Sequence, residues 1–160
     1  MSDITHFITA IPKAELHVHI EGTIEADLLL TIADRNEIAL PYKSAADILA
    51  GQNKGKSDPK QNLDSFIEAL DVCRSVLRRG RDYEDITYGY LKRCQIEKIV
   101  YAEVMFDPQQ GLRQGVGIEA QLEALKSGSL AGARDFGVEV QWIMSFQRDR
   151  PVEEALNILD

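Results

Sequence analysis

Pro12-Lys13-Ala14-Glu15-Leu16-His17-Val18-His19-Ile20-Glu21-Gly22-Thr23 alternates apolar and polar residues along most of its length. Ala14, Leu16, Val18 and Ile20 interleave with Lys13, Glu15, His17, His19 and Glu21. A strand has period two, so the spacing predicts a β-strand with the even residues on one face and the odd residues on the other. His17 and His19 then point the same way, one pleat apart, with Glu21 just beyond. Two imidazoles so placed can hold one cation, and neutral imidazole is a good ligand for zinc, iron and similar ions. A half-exposed strand with no site reads the same way. Two features favour a site: these are two of only three histidines in the chain, and the strand runs straight into a Gly22-Thr23 turn and a helix. A catalytic zinc centre usually takes three protein ligands and a water. The pair therefore supplies two at most.

Working outward, His6 sits beside Phe7 and Ile8 in an apolar segment and reads as structural or solvated. After the strand, Thr23 is placed to cap a helix with Glu25 and Asp27 in its first turn. Ile24, Leu28 and Ile32 recur at helical spacing through Asn36. Pro41-Tyr42 breaks that pattern before a short helix over 44–49. Residues 51–61, with Lys54, Lys56, Pro59 and Lys60, read as a mobile loop. Asn62 caps the next helix, whose stripe is Leu63, Phe66, Ile67, Leu70, Cys73 and Leu77, and Gly80 stops it. Asp82 opens another, with Ile86, Tyr90 and Cys94 inward. Residues 99–106 are almost all apolar, as in a parallel strand covered on both faces. Residues 109–117 read as loop. Residues 118–136 read as helix despite Ser127-Gly128-Ser129, with Gly137 as its cap. Residues 138–146 make a third strand, and Pro151, Glu153 and Glu154 open a last helix.

That order is a run of βα units, which implies a parallel α/β sheet. With the last helix still running at Asp160, residues 1–160 read as the first three βα units of a longer α/β barrel. In such barrels the site lies at the C-terminal ends of the strands, where His19, Glu21 and Asp107 all fall.

Composition narrows the partners. The 160 residues are 44% hydrophobic, enough for a sizeable core. A net charge of −8 argues against a nucleic-acid backbone or an anionic membrane surface. No apolar run approaches the ~20 residues of a membrane span, and the N-terminus lacks the pattern of a signal peptide. Cys73 and Cys94 read as buried thiols in a reducing compartment, so the cytoplasm is expected. The His-x-Glu with Pro-Cys-x-x-Cys signature of the cytidine-type zinc deaminases is absent.

The string from Pro12 to Thr23 resembles the first-strand motif of the adenosine and adenine deaminases, within the amidohydrolase superfamily. Leu63-x-x-Phe66 and Val100-Tyr101-Ala102-Glu103-Val104-Met105-Phe106-Asp107-Pro108-Gln109 resemble them too. The His-x-His alone is common to many amidohydrolases, whereas the whole Pro-Lys-x-Glu-Leu-His-x-His-x-Glu-Gly string is specific. The resemblance implies a (β/α)8 barrel, one divalent metal (usually zinc), and hydrolytic removal of a purine 6-amino group. It implies that His17 and His19 are metal ligands, and that Glu21, Gly22, Phe66 and Asp107 lie on the substrate side. The implied partner is a small purine base or nucleoside. Adenosine-specific members typically carry Asp where Glu21 stands, so adenine is slightly favoured. Gln110-Gly111 departs from the Thr-His that adenine deaminases commonly have nearby. The family's later His and Asp ligands and its His-x-Gly-Glu acid have no counterpart, because no histidine follows His19. No catalytic residue is therefore assigned within this chain.

Two classes of function follow. One is part of a metal-dependent aminohydrolase. The other is a non-catalytic piece that binds a metal or a protein weakly. A different amidohydrolase reaction on the same His-x-His ranks below both.

Overall fold

The computed structural model describes residues 3–52, 59–148 and 150–159, with side chains at all of these except 51, 52 and 59–66. Three strands, β1 (Lys13–His19), β2 (Ile99–Phe106) and β3 (Glu139–Met144), form one sheet in the order β1-β2-β3. Both pairings are parallel, as the βα alternation predicts. The helices are α1 (Asp3–Ala10), α2 (Ala26–Arg35), α3 (Ala45–Gln52), α4 (Pro59–Ser75), α5 (Gly80–Ile96), α6 (Pro108–Arg113), α7 (Ile118–Phe136) and α8 (Val152–Leu159).

The core lies between one face of the sheet and the helices. Ala102, Val104 and Phe106 of β2 are buried with Ile86, Tyr90, Leu91 and Cys94 of α5 and Leu125 of α7. Tyr101, Glu103 and Met105 alternate with them and are only half-buried. Among the described residues the largely apolar β2 is covered on its helix face, and Tyr101, Glu103 and Met105 lie on the other. Cys73 and Cys94 are free and buried, as expected.

Ser127-Gly128-Ser129 sits inside α7 because α7 lies directly on α5. A Cβ on Gly128 would come within 2.7 Å of Thr87 Cβ, and one on Gly132 within 2.3 Å of Leu91 Cδ1. Ser127 Oγ donates to Glu84 (3.0 Å), and Ser129 Oγ accepts from the Trp142 indole of β3 (2.9 Å). Gly137 ends α7 at φ 69°, a left-handed conformation that suits glycine.

Several boundaries differ from the expectations. Thr23 does not cap α2: residues Ile20–Thr23 form a 3-10 turn, and the Thr23 hydroxyl is spent on the Ile20 carbonyl at 2.8 Å. Asn62 is not a cap either, because α4 already starts at Pro59, a residue suited to a first helical position. Gly80 opens α5 and does not close α4, while Asp82 accepts from the N–H groups of Arg78 (2.7 Å) and Arg79 (3.0 Å). The supposed loop over 109–117 contains α6, begun by Pro108. The loop placed at 51–61 is helical at both ends, and its middle, 53–58, lies outside the described residues.

The strict alternation of β1 is also broken. Glu15 pairs with Ala102 and Val18 with Val104, so β1 spends one residue more than β2 between them. His17, within this bulge, has φ 63°. Glu15 consequently joins the helix side, where it accepts the Tyr90 hydroxyl at 2.8 Å. Leu16 is 58% exposed, and Val18 packs on the core.

Candidate functional site

The ends of the three strands converge on Asp107. It follows β2 directly and is 4% exposed. Its N–H donates to Glu21 Oε1 in the turn after β1, at 3.1 Å. One carboxylate oxygen accepts from Arg74 of α4, and the other accepts from Ser145, just past β3. The Ser145 N–H reaches back to the Phe106 carbonyl at 3.0 Å. Three separate elements are thereby tied to the residue that follows β2.

His17 and His19 lie together at the C-terminal end of β1, with ring centroids 5.9 Å apart and planes at 61°. Zn–N bonds are about 2.0–2.1 Å long, so rings at this spacing can flank one ion. His19 Nδ1 lies 3.8 Å from Asp107 Oδ2. One ligand atom each from His19, Glu21 and Asp107 falls within 4.8 Å of the others, a donor set able to hold a metal ion. His17 is exposed and stands outside that trio; His19 is common to both groupings.

The donors match the chemistry of a borderline cation. His19 Nδ1 and Glu21 Oε2 are buried with no hydrogen-bond partner among the described residues, and such orphans are uncommon without a reason. Glu21 is 1% exposed. Burial pushes its carboxyl up to about 7, the charge of Asp107 pushes the same way, and the Asp107 N–H partly opposes them.

A cavity of about 260 Å³ opens beside this cluster, with His19, Ile67, Arg74, Asp107, Ser145 and Gln147 among its walls. Gly22 is exposed in the 3-10 turn and faces α4, where an added Cβ would meet Leu70 at 3.4 Å. The side chains of Phe66 and Leu63 lie outside the described residues.

Arg74 and Ser145 escaped the sequence reading, although both left a signal. Arg74 stands four residues after Leu70 and three before Leu77, so it is a charge on the apolar stripe of its helix. It is 7% exposed. Ser145 is a polar residue at the C-terminal end of a strand, where barrel sites gather.

Comparison with known proteins places this arrangement. The family model described as "Adenosine deaminase" matches residues 12–159. The adenine deaminase of Acinetobacter baylyi is 37% identical over 156 residues, which cover 98% of this chain and 45% of that protein. The adenine deaminase of Ectopseudomonas mendocina is 35% identical over 154 residues, 96% of this chain and 47% of its own. Among solved structures, adenine deaminase from Arthrobacter aurescens superposes with a TM-score of 0.83 at 34% identity, covering 94% of this chain and 44% of that one. A zinc-bound amidohydrolase from Burkholderia ambifaria gives 0.80 at 29%, over 97% and 41%. The chain spans somewhat under half the length of these relatives, and its α/β fold, three βα units on a parallel sheet, matches the N-terminal part of their barrel. Matched by the family model over nearly its whole length, the chain belongs to the adenosine deaminase family.

Proposed function

We propose that residues 1–160 form the N-terminal part of a single barrel whose full-length protein hydrolyses a 6-aminopurine, with adenine slightly favoured over adenosine. In that reaction water adds at the ring carbon bearing the amino group, the C–N bond breaks, and ammonia leaves. The observation that carries the reading is the pairing of the His17 and His19 rings at the end of β1, beside the buried Glu21 and Asp107. The names of the relatives, adenine deaminases, support the substrate class. The zinc in the 29% identical neighbour supports zinc as the ion.

His17 and His19 would hold the metal. When bound, zinc supplies the Lewis acidity that makes water a nucleophile near neutral pH. Asp107 lines the cavity, and Glu21, buried behind it and held by its N–H, is the longer acid that would take space a ribose needs. Gly22 leaves the turn open, and Phe66 belongs to the helix along the opposite wall. The partner is a small purine base or nucleoside, with no role for nucleic acid or membrane. Among the described residues, no helix is long and apolar enough to cross a membrane. The buried free thiols are in keeping with a cytoplasmic protein.

The Asp107 carboxylate is engaged by Arg74 and Ser145 and Glu21 by the Asp107 N–H, which leaves two histidines, short of three protein ligands and an open position. The 160 residues alone are therefore assigned no turnover and at most weak metal binding. The test is ammonia release from adenine and adenosine by the full-length protein carrying these residues and by the 160-residue chain. Release by the longer protein alone, faster with adenine, is expected. Steady turnover by the 160 residues overturns the ligand-count argument, and faster release from adenosine overturns the base preference.

A further inference from the structure

We propose that Asp107 is a positioning residue that fixes the tautomer of His19, and that Arg74 and Ser145 aim it. The inference rests on the reading of His19 as a metal ligand and says how that ligand is prepared.

His19 Nδ1 is buried and has no hydrogen-bond partner among the described residues. Asp107 Oδ2 lies 3.8 Å from it. An ionised carboxylate only accepts, and a neutral imidazole carries its proton on one nitrogen or the other. A lone pair on Nδ1 would face that oxygen repulsively, whereas an N–H there faces it favourably. A ring movement of about 1 Å closes the gap to an ordinary N–H···O bond of about 2.8 Å. The proton is thus held on Nδ1, and the lone pair of Nε2 is left for a cation. Metal-bound histidines characteristically donate their second N–H to a carboxylate or carbonyl, which sets ring orientation and basicity.

Asp107 is anchored well enough to do this. Arg74, itself buried, binds Oδ2, and Ser145 binds Oδ1. The Asp107 N–H is tied to Glu21 at 3.1 Å. The carboxylate cannot swing toward solvent without breaking a buried ion pair, which is strongly destabilising. Oδ2 keeps a second lone pair, and His19 Nδ1 lies 3.8 Å from that oxygen.

The test is the ¹⁵N–¹H two-bond correlation spectrum of the metal-free full-length protein carrying these residues, with ¹⁵N-labelled histidine, at pH 9. His19→Gln assigns the resonance. The expected result is His19 with its proton on Nδ1, and a return in Asp107→Ala to the Nε2–H tautomer that free histidine prefers. A wild-type spectrum showing Nε2–H overturns the proposal, whether or not the variant folds. So does an Nδ1–H form that persists in folded Asp107→Ala. Zinc content of the full-length protein is measured separately. An Nδ1–H tautomer in a protein that retains no zinc would defeat the metal reading and leave this one standing.

Discussion

The Asp107 N–H donates to Glu21 Oε1 at 3.1 Å, closing the residue after β2 onto the turn after β1. Both groups are buried, so removing the acceptor strands a donor away from water. Loss of such a partner costs about 1–3 kcal/mol. Glu21→Ala is expected to lower the stability of the 160-residue chain by about that much in urea denaturation, whereas Glu21→Gln keeps an acceptor oxygen and costs less. Equal losses in the two variants would show that the hydrogen bond contributes little.

His17 holds a left-handed backbone, φ 63°, in the bulge of β1. A residue with a Cβ is strained there by about 1–2 kcal/mol, and glycine is not. His17→Gly should therefore be more stable than His17→Ala by about 1 kcal/mol, the reverse of the usual order in regular structure. Urea midpoints of the two variants check this. A more stable alanine variant would mean that the bulge is absent in solution.

The α5–α7 contact depends on small residues. A side chain at Gly132 would collide with Leu91, and one at Gly128 with Thr87 and the Glu84 carbonyl. Gly132→Val is expected to cost about 3 kcal/mol or more by overpacking. Gly117→Ala is the control, because an added Cβ there meets nothing within 4 Å. As an N-cap change, where glycine is favoured over alanine, it costs about 0.5–1 kcal/mol. Thermal unfolding of the two variants side by side separates the cases.

Burial pushes the Cys73 thiol up to about 11, with the Arg74 charge partly opposing. The fold thus favours the protonated thiol. That contribution is fully present below the unfolded value of about 9 and is lost as pH rises through about 11. Native Cys73 should resist a disulfide exchange reagent at pH 8 and react once the chain is unfolded in urea. Unfolding midpoints measured between pH 9 and 11 should fall faster for wild type than for Cys73→Ala. Rapid labelling of the native chain at Cys73 would contradict the burial.

The βα order was readable because the apolar periods differ so plainly between strand and helix; β2 and α7 begin and end where their patterns do. The bulge in β1 was not readable. Nothing in Glu15-Leu16-His17-Val18 marks the extra residue, which arises from pairing with β2. A capping residue such as Thr23 has two helical uses, and only the packed chain decides between them. The position of His19, Glu21 and Asp107 at strand ends was legible from topology. Their joining through Arg74 and Ser145 was not, because it needs contacts between residues more than 30 positions apart.

His17 and His19 are proposed to hold the metal of a purine deaminase. That proposal is tested most directly by zinc content after exhaustive dialysis, measured with ammonia release from adenine, in the full-length protein carrying these residues and in its His17→Ala and His19→Ala variants. The expected result is about one ion per chain in the wild type, with metal and turnover both lost in each variant. A His17→Ala protein that keeps its zinc and its full rate would contradict the account.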